Sequence, residues 1–464
     1  MRRGCTKKNC TNCGACSGRG ILTKPLFGGA DAQEDFERRK APRSFAAACD
    51  LGTTTLACYL VDMSASRVAA ASSARNPQAA WGADVISRIV RSMESEDALQ
   101  DLAYSVRRQL ENLLAHLARN LGCDLLDCRE LVLAGNSVME HLFLGISPAS
   151  LGSAPFVPLR RRFEKTSAGE LGMTALPALM PVRLFPLIDG FVGGDTAALL
   201  FELTEEAAAS DAGGKTRLVI DFGTNGEIAI LRRGRISTCS TAAGPAFEGA
   251  AVRQGMPALP GAVHSFESNG RTLHCHTVQD TPARGLCGSG LTDAVALLLR
   301  EGVLTPEGRM EQTASSFLAR KIRGEGADRR CVLCESEMGE VALYQRDVRE
   351  FQLAKGAVQA GIELLLERED VRWEEIDECV LAGAFGNAIR HESLLRTGLL
   401  RSSLKGKIRT LGNGAGLGAV RALLSGETAW KRIEEIAATS GHLRLESEPD
   451  FESRFLEAMR LAPR

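Results

Sequence analysis

One arrangement occurs twice in this chain, and it restricts the fold more than any other feature. Asp50-Leu51-Gly52-Thr53-Thr54-Thr55 lies between the apolar runs 46–49 and 56–61, and Asp221-Phe222-Gly223-Thr224-Asn225-Gly226 lies between 218–220 and 228–231. Each reads as strand, turn, strand. Downstream of the first, Val132-Leu133-Ala134-Gly135-Asn136 runs from a strand into a small-residue turn, and Val380-Leu381-Ala382-Gly383-Ala384 does the same downstream of the second. Such ordered duplication implies two lobes of similar fold facing each other, with a ligand cleft between them. Val106, Leu110, Leu113, Leu117 and Leu121 recur at helical spacing, as do Phe351, Ala354, Val358, Ile362 and Leu365. Strands alternating with helices of this length make the architecture α/β.

A bend with glycine at its tip and threonine beside it presents backbone N–H groups and hydroxyls that can hold phosphate oxygens. Mg2+ prefers one or two carboxylates, waters and phosphate oxygens, so Asp50 and Asp221, one before each bend, suit a Mg-nucleotide. A single Asp-x-Gly-Thr is first of all a tight turn, whereas two in order favour the nucleotide. Segments 382–387 and 411–416 are rich in small residues and admit adenine close to the backbone, although tight strand-to-helix packing needs the same residues. Segment 285–290 runs into a helical stretch, and its open N-terminus serves an anion or a plain cap equally well. Gly193-Gly194-Asp195-Thr196 opens another helix, with Asp195 or Thr196 as its N-cap candidate. No Gly-x-x-x-x-Gly-Lys-Ser/Thr is present, and no Gly-x-Gly-x-x-Gly follows an early strand, so P-loop and Rossmann readings are excluded.

The 464 residues carry 56 Lys plus Arg against 57 Asp plus Glu, a formal charge of -1, which leaves no overall positive field for nucleic acid or anionic lipid. No apolar window reaches the ~20 residues of a membrane span, and the basic start leads into cysteines instead of an apolar signal core, so a cytoplasmic protein is expected. There, 14 cysteines point to a metal or redox centre wherever they cluster. Cys5, Cys10, Cys13 and Cys16 form Cys-x4-Cys-x2-Cys-x2-Cys, whose short gaps wrap a compact cluster, 4Fe-4S by preference, while structural zinc usually sets its two knuckles far apart. Cys331-x2-Cys334 stands in a polar stretch and reads as a surface loop without a metal; His274 and His276 fit one face of a strand. The expected division is a Cys-rich head 1–16, a linker 17–45, lobes 46–205 and 206–427, and a C-terminal segment 428–464 packing on them.

Asp50-Leu-Gly-Thr-Thr-Thr, Asp221-Phe-Gly-Thr-Asn-Gly-Glu and Val380-Leu-Ala-Gly-Ala-Phe-Gly-Asn resemble the phosphate and adenosine motifs of the acetate and sugar kinase, heat-shock chaperone and actin (ASKHA) superfamily. Further strings are Trp81-Gly-Ala-Asp-Val-Ile-Ser-Arg, Ala134-Gly-Asn-Ser-Val-Met-Glu-His, Phe191-Val-Gly-Gly-Asp-Thr, Ala243-Gly-Pro-Ala-Phe-Glu-Gly and Leu286-Cys-Gly-Ser-Gly-Leu. With them, residues 46–424 resemble the ATP-dependent reductive activators of corrinoid proteins. The resemblance implies a two-lobed actin-like ATPase built from duplicated RNase H-like domains, using ATP, Mg2+ and an iron-sulfur cluster. It implies one-electron reduction of Co(II) to Co(I) in the corrinoid protein of a methyltransferase system, fed by an external low-potential donor, and it admits a homodimer. It puts Asp50 and Asp221 near Mg2+, and Gly52, Thr53, Thr54, Thr55, Gly223, Thr224, Asn225 and Gly226 at the phosphates. Gly383, Ala384, Phe385 and Gly386 fall at adenosine, with Gly412 and Asn413 beside them, and Glu227 and Asp195 are candidates for the hydrolytic base. The chain departs from the pattern at its start, where several relatives carry a ferredoxin-like domain with a 2Fe-2S cluster. Three competing readings are a small-molecule kinase of the superfamily, an electron activator of 2-hydroxyacyl-CoA dehydratase type, and a zinc-folded, non-redox ATP module.

Overall fold

The computed structural model describes residues 44–82, 84–209, 214–223, 225–312, 315–383, 385 and 389–463. Its first strand, β1 (Phe45–Leu51), alternates a larger and a smaller set of side chains. Phe45, Cys49 and Leu51 face one way, and Ala46 and Ala48 the other. Both faces are therefore covered, and nearly every position is apolar. β1 pairs antiparallel with β2 (Thr55–Asp62), which pairs with β3 (Arg67–Arg75), and it runs parallel to β4 (Cys128–Gly135). With β5 (Thr166–Ser167) and β6 (Pro181–Leu184) they make a six-stranded sheet in the order β3-β2-β1-β4-β6-β5. β1 begins at Phe45, a fully buried residue assigned above to the linker.

The second half repeats this plan with β7 (Arg217–Phe222), β8 (Gly226–Arg232) and β9 (Arg235–Thr241). Two small three-stranded sheets are inserted here, one of β10 (Ala262–Ser268), β11 (Leu273–Thr277) and β12 (Gly285–Leu286), the other of β13 (Ile322–Arg323), β14 (Arg330–Ser336) and β15 (Gly339–Tyr344). β16 (Glu378–Ala382), β17 (Ile408–Gly412) and β18 (Gly441–Leu443) complete a second six-stranded sheet, β17-β16-β7-β8-β9-β18. The registers of the two sheets correspond residue for residue. Asp50 of β1 lies opposite Ala134 of β4, and Asp221 of β7 lies opposite Ala382 of β16.

The helices sort by face. Helices α1 (Val85–Ser92), α2 (Glu96–Leu121) and α3 (Ser137–Leu144) lie in the first half, and the outer face of its sheet meets α2 through Val106, Leu110 and Leu114 and α3 through Met139 and Phe143. Ser95 caps α2 by accepting from the Ala98 N–H at 3.1 Å, and Gly122 ends it with φ 69°. The inner faces of both sheets share one core with α4 (Gly194–Ala208) and the helix Gly414–Ser425. These two helices can cross closely because small residues stand at the contact. A Cβ on Gly418 would lie 2.0 Å from the Ala198 carbonyl oxygen, on Gly414 2.4 Å from Leu199, and on Gly416 2.5 Å from the Tyr59 ring. The outer face of the second sheet is covered by α6 (Gln345–Arg368), whose buried Lys355 donates at 2.8 Å to the carbonyl of Arg460 and so pins the chain after the helix Phe451–Ala458. α5 (Gly288–Arg300) packs on β10 within the inserted region.

The cysteine pair assigned above to a surface loop is instead in β14. Cys331 is buried against Leu318, and Cys334 lies beside Cys275 of β11. Cys331, Val332 and Leu333 are buried, and the polar Arg330, Glu335 and Ser336 stand at the two ends of the strand, so a short apolar centre between charged flanks reads as a loop.

Substituting Gly418 by Val is expected to cost about 2–3 kcal/mol in urea unfolding, because the crossing has no space for it. Gly214→Ala, where no heavy atom lies within 4 Å, serves as the neutral control.

Candidate active site

Four carboxylates come together where the two halves meet. Asp50 ends β1 just before the first bend, Asp221 and Glu227 sit opposite each other on β7 and β8 at the second, and Asp195 lies in the first turn of α4. Burial raises each of them. Asp50 is pushed up to about 8 by burial and the charge of Asp195, opposed by a hydrogen bond from Asn413, with Asp221 adding to the rise. Asp221 rises to about 7 by burial and Asp195, and Asp195 to about 6 by burial, held down by its bond with Thr196. Glu227 lies well above the usual carboxylate range through burial, Asp195 and Asp221. Asp195 is thus the charge that the other three share.

The seam is tied at this point. Asn413 follows β17 and caps the helix Gly414–Ser425, its Oδ1 accepting from the Gly416 N–H at 2.8 Å while its Nδ2 donates at 2.8 Å to Oδ2 of Asp50. Both ends of the carboxamide are engaged, so Asn413 ties the cap of this helix to Asp50. Gly414 and Gly416 stand in close packing, Gly414 against Leu199 and Gly416 against the Tyr59 ring, as the packing reading of this segment requires.

α4 is brought to the cluster by two glycines. A Cβ on Gly193 would lie 2.6 Å from the Asn136 Cα, and one on Gly194 2.2 Å from Oε1 of Glu140. Neither Asp195 nor Thr196 is the N-cap; Gly193 takes that position, and Asp195 accepts from the Thr196 N–H at 2.7 Å within the first turn. Glu140 was not singled out from the sequence. It is fully buried, accepts from the Gly135 N–H at 3.0 Å, and is driven well above the usual range by burial and Asp195, so it stays protonated.

At the first bend Thr53 is buried while Thr54 and Thr55 are exposed. The Thr53 hydroxyl accepts from Asn136 Nδ2 at 2.9 Å and keeps its own proton to donate. At the second bend the Gly223 N–H donates to the Asn225 carbonyl at 2.9 Å, and Gly226 is pressed against Thr241 and Val358. Gly383 has φ +83°, and a Cβ there would lie 2.8 Å from Oδ1 of Asp221, so only glycine leaves room for that carboxylate. Phe385 is core, its ring 4.9 Å from Phe222 and 4.8 Å from Phe247. The glycines of 285–290 are also packing positions, Gly288 against the Phe247 carbonyl and Gly290 against that of Val263. Gly412 has φ +87° where β17 ends. Thr224, Ala384, Gly386 and the four head cysteines Cys5, Cys10, Cys13 and Cys16 lie outside the described residues.

Among the described residues no three His, Cys, Asp or Glu side chains converge on a metal-binding point. No helix among them is long and apolar enough to cross a membrane.

A family model described as the C-terminal domain of RACo, the ASKHA domain, matches residues 215–464, and one described as the RACo middle region matches 45–204. The corrinoid activation enzyme RamQ of Eubacterium limosum is 34% identical over 421 residues, covering 88% of this chain and 69% of that one. The [Co(II) methylated amine-specific corrinoid protein] reductase of Methanosarcina barkeri is 26% identical over 300 residues, 58% of this chain and 50% of its own length. Among solved structures, a reductive activator for a corrinoid, iron-sulfur protein superposes with a TM-score of 0.79 at 31% identity, covering 91% of this chain and 67% of that one. The duplicated sheets, the carboxylates at their seam and these matches lead to one conclusion: the chain belongs to the RACo family, with an actin-like ASKHA fold.

Proposed function

We propose that this chain uses MgATP to drive one electron onto the Co(II) of a corrinoid protein, returning it to the methyl-accepting Co(I) state of a methyltransferase system. The observation that carries the reading is the crowding of Asp50, Asp195 and Asp221 at a seam bridged by the bond from Asn413 to Asp50. Relatives described as a corrinoid activation enzyme and as a corrinoid protein reductase support the substrate, and they weigh against a small-molecule kinase or a dehydratase activator.

Asp50 and Asp221 would hold Mg2+, whose charge shields the nucleotide phosphates when bound. Thr53 would offer its hydroxyl proton to the phosphates, and the bend around Gly223 would lie beside them. Asp195 and Glu227 are the two candidates to accept a proton from the hydrolytic water. Asp195 fits better, because it is raised only to about 6 while burial and the charges of Asp195 and Asp221 drive Glu227 well above the usual carboxylate range. Closing the seam on nucleotide changes the surface offered to the corrinoid partner. The shift is limited to the nucleotide's preference for the closed state, about 5.5 kcal/mol for a nearly complete reversal of populations. The four head cysteines would ligate an iron-sulfur cluster, 4Fe-4S by preference, which would carry the electron from an external low-potential donor. The cytoplasm, where thiols stay reduced, is the compartment for this chemistry.

Two outcomes follow. A carboxyl that binds its proton more tightly when folded favours folding below its unfolded pKa, near 3.8, and withdraws that stability as pH rises through its folded value. The nucleotide-free Tm is therefore expected to fall between about pH 4 and pH 8, and Asp50→Asn to flatten the fall; a Tm that stays level over this window in the wild type contradicts the crowded cluster. In anaerobic mixtures with a reductant and a Co(II) corrinoid protein, ATP should produce the Co(I) spectrum. Changing Cys5, Cys10, Cys13 and Cys16 together to Ser should abolish it while ATP binding persists; a signal that survives this change, or that needs no ATP, rejects the proposal.

A further inference from the structure

The first bend is gripped from behind by a buried cation. Arg88, on α1, is fully buried and is the largest side chain so enclosed. Its Nη2 donates to the Thr53 carbonyl at 2.6 Å, its Nε to the Gly82 carbonyl at 3.1 Å, and its Nη1 to Gln78 Oε1 and Met139 Sδ, each at 3.2 Å. Every one of these partners is neutral. Burial lowers its pKa to about 10, with Asp84 opposing, so it remains charged at neutral pH. A buried charge without a carboxylate in contact is costly, and the cost falls when an anion arrives nearby.

Its neighbours complete a brace. Asn76 donates from Nδ2 to the Gly52 carbonyl at 2.9 Å, and its backbone N–H donates to the Thr54 carbonyl at 2.9 Å. Three successive carbonyls of the bend, Gly52, Thr53 and Thr54, are therefore bound by Asn76 and Arg88. Asn136 holds the Thr53 hydroxyl at 2.9 Å. The backbone N–H groups of Thr53 and Thr54 have no partner among the described residues. The bend is pre-organised with its acceptors tied back and donors left over, as an anion site requires.

We infer that Arg88 is a positioning residue for the nucleotide phosphates: it fixes the Thr53 peptide from the interior and supplies a permanent positive charge behind the phosphate site. This rests on the reading that the Asp50–Thr55 bend binds MgATP. A purely structural Arg88, tying Gln78 and Gly82 to the core, would affect all ligands alike.

The test compares wild type, Arg88→Met and Arg88→Lys by calorimetric titration with MgATP and with adenosine, alongside thermal unfolding. Loss of an ordering hydrogen bond from a charged donor should weaken MgATP by about tenfold in Arg88→Met. Adenosine should stay within about twofold, the range of substitutions that leave a contact untouched. Arg88→Lys, which keeps the charge without the fork, should recover part of the MgATP affinity. Equal weakening of adenosine and MgATP, or unchanged MgATP affinity in a folded Arg88→Met, overturns the inference. If Arg88→Met does not fold, the same comparison on Arg88→Lys decides: weaker MgATP with intact adenosine binding supports the inference, and no change in either ends it. A wild type that fails to bind MgATP at all removes the ATP reading itself, which is a different result from an insensitive Arg88.

Discussion

Repulsion between like charges in a partly dry seam governs what this molecule can do. Asp50 belongs to one sheet, Asp221 and Glu227 to the other, and Asp195 to the helix between them; burial first, and then the charge of Asp195, makes the other three harder to ionise. At a surface such repulsion is mild, but it grows several-fold as water is excluded. An empty cleft relieves it by taking up protons or by standing open. Under the nucleotide reading proposed above, a divalent cation with a polyphosphate would take the place of those protons. The Asn413 bond to Asp50 keeps the seam in register, because it joins the end of β17 to the end of β1.

That arrangement depends on how side-chain size is distributed along the strands. β1 presents Phe45, Cys49 and Leu51 to the outer helices and Ala46 and Ala48 to the inner ones. The inner face is thereby shallow, and α4 and the helix Gly414–Ser425 cross over it with backbone close to side chain at Gly414 and Gly418. Large residues at these places would separate the helices and carry Asp195 away from Asp50. The glycines that read as a nucleotide loop therefore also serve the helix crossing that places Asp195.

Much of the plan was legible because the duplication is written in residues that have few alternatives. An Asp before a Gly-Thr bend and a Val-Leu-Ala-Gly strand recur in order, and the structure sets Asp50 against Ala134 and Asp221 against Ala382. What stayed hidden is proximity across the sequence. Nothing local to Asp195 says that it sits among Asp50, Asp221, Glu227 and Glu140, and nothing local to Asn413 says that its amide reaches a carboxylate 363 residues away. Arg88 was obscured by its type, since an arginine in an amphipathic helix reads as surface. Cys331 and Cys334 were obscured by their setting, because a short apolar centre between charged flanks has the composition of a loop. Glycine itself is ambiguous: a turn, a ligand contact and a tight crossing all demand it, and only the atoms a Cβ would meet tell them apart.

α4 combines these effects in one rigid element. Its first turn carries Asp195 into the crowd of carboxylates, while its later turns carry Glu202, Glu205 and Glu206 to arginines of the second half. Glu202 Oε1 accepts from Arg421 at 2.7 Å, and Glu205 and Glu206 meet Arg432 at 2.7 Å and Arg409 at 3.2 Å. Opposite charges thus fasten one end of the helix and like charges load the other. A helix of 15 residues is thus held at its far end by ion pairs while its first turn stays among buried carboxylates.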